Sequence, residues 1–146
     1  MILALSVREP YAGALFDDHR EWGRKRVENR TRPTGLRGRL AIHSSAKPAV
    51  DPPLEAWGSR TTFGAVLGTV ELVECHREGD PRCVERGCHR DPWAEFADHR
   101  DPRIRWHYVV EHPREFVTPI PAKGMLGFWE PGPSLAHLLT IAEVRS

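Results

Sequence analysis

Apolar and polar residues follow strand-like patterns along six short segments of the chain, with clear alternation at residues 2–8 and 39–45. These patterns predict strands at residues 2–8, 25–30, 39–45, 65–75, 106–111 and 125–130. The segment at 65–75, AVLGTVELVEC, carries apolar residues on both faces, so we expect it at the centre of a sheet. Gly68 within it indicates a bend or a close approach of another backbone segment.

Three further segments show helical spacing or helix-start signals. They are YAGALF after Pro10, DPWAEFADH with Asp91 as the N-cap, and PSLAHLLTIAEVRS at the end with Ser134 as a cap. Six short, twisted strands bury both faces most economically by curling into a closed or nearly closed barrel. The predicted fold is therefore mainly β (α+β), a small barrel of about six strands with flanking helices.

Length and composition are those of a single globular domain. The chain has 146 residues, of which 40% are hydrophobic and 28% charged. Its apolar runs are shorter than the roughly 18–20 residues of a membrane helix, and its start, MILALSVREP, lacks the basic region of a signal peptide. We therefore expect a cytoplasmic protein that does not contact a membrane.

Positive charge is concentrated in residues 20–39, called here the basic segment. It holds eight basic and two acidic residues, a net charge of +6 in a chain whose total is +1, which leaves −5 for the remainder. Such a separation predicts a positive surface with an anionic partner, although a solvated surface without a ligand is the alternative.

Cysteines and histidines are clustered in CHREGDPRCVERGCH, residues 75–89. Four of the five side chains Cys75, His76, Cys83, Cys88 and His89 would be enough to bind zinc. The spacing is not that of a C-x-x-C motif, and the odd number of cysteines argues against a disulfide framework. Free thiols, with no metal and no cofactor, are therefore the expectation, and zinc binding is the alternative.

Four blocks in a fixed order resemble a known family. They read LSVREPYAGAL, GRKRVENRTRPTGLRGRLAIHSSAKP, AVLGTVELVEC and WHYVVEHPREFVTPIPAKGMLGFWE. The most specific part is G-x-K-x-x-E-x-R, formed by Gly23, Lys25, Glu28 and Arg30. From about residue 2 to 130 the chain resembles the ASCH domain (activating signal cointegrator homology), a PUA-like barrel. It is most similar to the coactivator type, which shares K-R-V-E, R-G-R-L and P-x-K-G.

The resemblance implies an ASCH domain over residues 1–131, followed by a helical tail at 132–146 that packs on or beside the barrel. It also implies a cleft beside the K-x-x-E-x-R strand and, as the leading function, binding of DNA or RNA. Oligomeric state is left open.

Alternation along that strand places Glu28 and Arg30 on one face, where they can form a pair, with Lys25 at the strand entry. Lys123, in the P-x-K-G element, is expected at the same cleft. Aromatic side chains such as Tyr11 and Trp129 can stack on bases, or simply pack in the core. The predicted nucleic-acid-binding residues are Lys25, Arg26, Glu28, Arg30, Arg37, Arg39, Lys123 and Tyr11.

Two other functions remain open. Some proteins similar in this way are ribonucleases or amidohydrolases of acetylated cytidine, and in this chain Lys25 and Glu28 would be the catalytic residues. The amidohydrolases carry a threonine three residues after the lysine, where this chain has Glu28. A third interpretation is a protein-interaction module that uses the exposed terminal helix.

Overall fold

Six strands, three short α-helices and two 3-10 turns make up the regular structure in a computed structural model that describes residues 2–17, 21–58 and 60–146. The strands are β1 (Leu3–Val7), β2 (Val27–Arg30), β3 (Gly38–Ser44), β4 (Ala65–Arg77), β5 (Trp106–Pro121) and β6 (Phe128–Trp129). The helices are α1 (Tyr11–Ala14), α2 (Pro81–Arg86) and α3 (Pro133–Ile141). The predicted fold class, mainly β with flanking helices, is confirmed.

The strands form one mixed sheet in the order β2-β5-β4-β3-β1-β6. Strand β1 runs parallel to β3 and antiparallel to β6, and β2 runs antiparallel to β5 with Glu28 opposite Tyr108. Strand β4 has a neighbour on each side, as its two apolar faces predict. A Cβ at Gly68 would overlap the Arg114 carbonyl oxygen of β5, which confirms the predicted close approach.

The chain forms two compact units, and β4 and β5 contribute residues to both. Unit 1 comprises Met1–Lys25, Arg39–Glu71 and His112–Ser146, and unit 2 comprises Arg26–Gly38 and Leu72–Glu111. In unit 1 a buried cluster contains Ala4, Ala41, Val66, Phe116, Trp129 and Leu139, the last supplied by α3. Helix α3 therefore packs on this core, while the predicted boundary at residue 131 stays a prediction.

One predicted helix is wrong, and another helix was missed. Residues 91–99 are irregular because side chains satisfy their backbone: Asp91 Oδ1 accepts from the Trp93 N–H (2.8 Å), and Asn29 bonds Trp93 O and Glu95 N. The helix of this region is α2, where Asp80 caps the Cys83 N–H (3.1 Å).

The lengths of two strands differ from the prediction. Strand β5 continues past the predicted end at residue 111 through a proline-rich segment to Pro121, and His112 within it has a positive φ of 51°. Strand β6 is only two residues long. Among the described residues, no helix has both the length and the apolar character that crossing a bilayer requires.

Candidate functional site

Lys25 lies immediately before β2, at the strand entry that the sequence predicts. Gly23 has a φ of 69°, a left-handed conformation that favours glycine, and the Lys25 N–H donates to Ala14 O (2.8 Å). The side chain is only 1% exposed, and its Nζ lies 5.8 Å from the centre of the Tyr11 ring. The ammonium is therefore enclosed by protein rather than displayed on the surface.

Glu28 and Arg30 form the ion pair that their shared strand face predicts. Arg30 Nε and Nη2 both donate to Glu28 Oε2, at 2.9 and 2.8 Å. Tyr108, opposite Glu28, donates its hydroxyl to Arg32 O (2.7 Å), and burial raises the pKa of that hydroxyl, so it remains a donor at neutral pH. The guanidinium of Arg30 is thus fixed in orientation.

Three other arginines of the basic segment, Arg26, Arg32 and Arg37, are exposed. Within the part of the chain that the structure describes, none of them has a carboxylate within 4.0 Å. Arg37 donates to backbone carbonyls of its own loop, Leu36 O at 2.7 Å and Thr34 O at 3.3 Å. Past Glu21 the segment has a single acid, Glu28, and that carboxylate is buried.

Arg39 contacts both a backbone carbonyl and a carboxylate of unit 1. Its Nη1 donates to His112 O (2.6 Å), and its Nη2 lies 3.8 Å from Glu71 Oε2. Burial, and secondarily the charge of Arg114, lower the pKa of Arg39, while Glu71 acts in the opposite direction. Arg39 therefore contributes to the packing of unit 1 and also carries positive charge there.

Lys123 is exposed beside an open groove of about 650 Å³ in unit 1. Trp129 and α3 also line this groove. A network that the sequence did not reveal holds the backbone beside Lys123: Trp129 Nε1 donates to Ser6 Oγ (3.0 Å), Ser6 Oγ lies 3.1 Å from His43 Nδ1, and His43 Nε2 lies 2.7 Å from Ala122 O. Trp129 is buried in the core. Of the two roles considered for it, stacking on bases and packing in the core, the structure shows packing.

Close packing requires the glycine that follows Lys123, Gly124. A Cβ there would overlap the His43 ring and Ser6 Oγ. The P-x-K-G element is therefore seated directly on a buried histidine, and the only sequence signal for this was the glycine itself.

The predicted residues are divided between the two units. Lys25, Tyr11, Arg39 and Lys123 belong to unit 1, whereas Arg26, Glu28, Arg30 and Arg37 belong to unit 2. Of these, the structure pairs Glu28 with Arg30 and Lys25 with Tyr11.

A second group of chemistry-bearing residues lies in unit 2. His76, Cys83, Cys88 and His107 are all buried, and one ligand atom from each lies within 4.8 Å of the others. Burial lowers the pKa of the His76 imidazole and raises the pKa of the Cys88 thiol to about 12.

The composition of this group differs from the sequence-based candidates in residues 75–89. Cys75 and His89 are not part of it, and His107 replaces them. His107 lies in β5, far along the chain, so no local spacing could reveal it; the register of β5 against β2, with His107 opposite Asn29, is a property of the fold.

Comparison with known proteins yields structural similarity without sequence similarity. No protein-family model matches the chain, and no curated protein matches it. Among solved structures it is similar to the ASCH protein of Zymomonas mobilis, with a TM-score of 0.56 and 15% identity over 97% of this chain and 95% of that one. Two mutants of that protein align over 97% of this chain and 98% and 96% of their own, with TM-scores of 0.56 and 0.53 at 15% and 16% identity.

Proposed function

The chain has the fold of an ASCH domain, and on that premise we propose that it binds nucleic acid through its basic segment. The observation that supports this most directly is the set of exposed arginines Arg26, Arg32 and Arg37, which have no carboxylate within ion-pair distance among the described residues. Glu28, the acid within the segment, is buried and paired with Arg30, so it does not neutralise the charge of these three arginines.

Each side chain has a distinct part in the proposal. Arg26, Arg32 and Arg37 contact phosphates, because an arginine without a competing carboxylate exchanges only counterions and water for a phosphate oxygen. Arg30, held by Glu28, adds a guanidinium charge of fixed orientation to the segment. Lys25 and Tyr11 support the strand entry, and Lys123 and Arg39 add positive charge in unit 1.

The test measures binding to fluorescently labelled single-stranded RNA and to single- and double-stranded DNA by anisotropy at fixed salt. Each phosphate contact to a single strand adds about 0.7 to the slope of log affinity against log salt concentration. Loss of two contacts therefore lowers the affinity about 25-fold at 0.1 M salt, taking 1 M salt as the reference at which the contacts contribute nothing. We expect this loss for Arg32→Ala/Arg37→Ala. The matched control is Arg100→Ala/Arg114→Ala, which removes two exposed arginines outside the segment and should bind like the unmodified protein.

Equal weakening by the two double variants would show that only total charge matters and would reject the proposed surface. Absence of binding to RNA and to single- and double-stranded DNA would reject nucleic-acid binding itself.

The burial of Lys25 beside Tyr11 favours a second candidate, a hydrolase of RNA or of a modified nucleoside. A lysine removed from bulk solvent is one of the side-chain types that enzymes use as a nucleophile. Incubation of the unmodified protein and Lys25→Ala with acetylated cytidine and with RNA tests this candidate. Turnover that disappears in Lys25→Ala supports it, and no turnover by the unmodified protein removes it.

A further inference from the structure

The ligand atoms of the His76–Cys83–Cys88–His107 cluster lie within 4.8 Å of one another, and three of their separations match the edges of a small tetrahedron. His76 Nε2 lies 3.2 Å from His107 Nδ1 and 3.4 Å from Cys88 Sγ, and Cys83 Sγ lies 3.7 Å from His107 Nδ1. A tetrahedral zinc ion, with bonds of about 2.0–2.1 Å to nitrogen and about 2.3 Å to sulfur, separates its ligand atoms by about 3.3–3.8 Å. The observed separations are close to these edges.

The groups outside both imidazole rings favour the tautomers that direct lone pairs into the cluster. His107 Nε2 lies 2.8 Å from Glu95 O, and because a carbonyl oxygen only accepts, Nε2 carries the proton and Nδ1 is left as a lone pair. His76 Nδ1 lies 3.4 Å from Glu74 Oε1, outside hydrogen-bond geometry, and the negative carboxylate favours a proton on Nδ1, which leaves Nε2 as a lone pair. Carbonyl and carboxylate groups in these positions orient the histidine ligands of zinc sites.

The other tautomer of His76, with the proton on Nε2, is less favourable because it places a lone pair beside a carboxylate. A proton on Nε2 would bond to His107, but the lone pair of the buried Nδ1 would then face the Glu74 carboxylate. That nitrogen has no partner in hydrogen-bond geometry among the described residues. A cation between the two inward nitrogens removes this conflict, because both lone pairs then become ligands.

The local structure brings the two thiols to the same point. Asp80 caps the start of α2 and so positions Cys83 in its first turn. Gly87 ends the helix in the left-handed conformation, with φ 73° and ψ 36°, and turns the chain so that Cys88 follows directly. The result is a Cys-x₄-Cys pair on a capped helix, opposite histidines from two neighbouring strands.

We propose that His76, Cys83, Cys88 and His107 bind one zinc ion per chain in a structural site. Four protein ligands complete a tetrahedron and leave no position for substrate or water, which separates structural from catalytic zinc. Binding deprotonates the two thiols, and their protons pass to solvent. The site is independent of the proposed nucleic-acid binding.

The position of the cluster shows what the metal would stabilise. The chain between His76 and His107 contains only α2 and a 3-10 turn as regular structure. Loops of this length without regular structure are uncommon unless they are tied down. Zinc would join both ends of the loop to its middle, beside the strand pair β2–β5.

The test begins with protein produced without a polyhistidine tag in zinc-supplemented medium. We expect about one zinc per chain by elemental mass spectrometry, and, after exchange for Co²⁺, the visible absorption of tetrahedral cobalt with thiolate charge-transfer bands. Cys83→Ser and His107→Asn should lose both signals. The matched controls Cys75→Ser, which alters a buried cysteine outside the cluster, and His89→Asn, which alters an exposed neighbour of Cys88, should keep them.

A conservative variant separates loss of a ligand from loss of folding. Cys88→His should still bind one metal ion, with a weaker thiolate band in the cobalt spectrum. The proposal is overturned if the unmodified protein binds no stoichiometric zinc, if it holds a different metal instead, if it contains a Cys83–Cys88 disulfide, or if the control variants lose metal as the ligand variants do.

Discussion

Ser6 offers the sharpest test of how the P-x-K-G element is held. The indole N–H of Trp129 can only donate, so Ser6 Oγ accepts at 3.0 Å and its own hydroxyl hydrogen is left for His43 Nδ1 at 3.1 Å. His43 Nε2–H then donates to Ala122 O at 2.7 Å. Ser6→Ala removes the link that satisfies both aromatic side chains.

The cost follows from the groups left without partners. A buried polar group that loses its partner costs about 1–3 kcal/mol, and because Ser6 is half-buried, water replaces part of what is lost. We therefore expect Ser6→Ala to lower the free energy of unfolding in urea by about 1–3 kcal/mol in total. Ser45→Ala, a half-buried serine just after β3, should change it by less than about 0.5 kcal/mol.

A double-mutant cycle isolates the bond itself. In a Trp129→Phe background the indole donor is already absent, so Ser6→Ala should cost about 1 kcal/mol less than in the unmodified protein. If the two substitutions are additive, or if Ser6→Ala and Ser45→Ala cost the same, the network does not hold this element and the reasoning fails.

Two further predictions concern unit 1. Gly68→Ala forces a Cβ against Arg114 O and should lower the free energy of unfolding by about 1–3 kcal/mol, whereas Gly35→Ala, which meets nothing within 4 Å, should leave it nearly unchanged; equal urea midpoints would contradict the close approach. The buried Glu9 carboxylate accepts from Gly13 N–H (2.6 Å) and Thr62 N–H (3.1 Å), yet burial raises its pKa above 4.5. Its contribution to stability is complete below pH 4.5 and is lost as pH rises through the raised pKa, so the stability of the unmodified protein relative to Glu9→Gln should fall with rising pH and then level off. A difference independent of pH in urea unfolding would refute that assignment.

The strands were predictable because alternation is a local property. Each predicted strand corresponds to an observed one, and the Glu28–Arg30 pair followed from two residues on one face of β2. The helix of residues 76–105 was placed wrongly although its signals are local. Asp-Pro begins both candidates, but only the first is followed within seven residues by a glycine, Gly87, that ends the helix in the left-handed conformation.

The remaining features depend on contacts between distant residues. The burial of Lys25 depends on its packing against the α1 region, so a charged residue in a charged segment gave no sign of it. His107 joins the cysteine–histidine cluster through strand register. The sequence therefore could not predict the burial of Lys25 or the place of His107 in the cluster, because both depend on tertiary contacts.

The salt dependence of nucleic-acid affinity tests the central claim most directly. Log Kd for labelled single-stranded RNA, measured against log salt concentration, should be linear for the unmodified protein. The slope should be smaller by about 1.4 for Arg32→Ala/Arg37→Ala and unchanged for Arg100→Ala/Arg114→Ala. A slope near zero for the unmodified protein, or the same slope for all three proteins, would contradict binding through the basic segment.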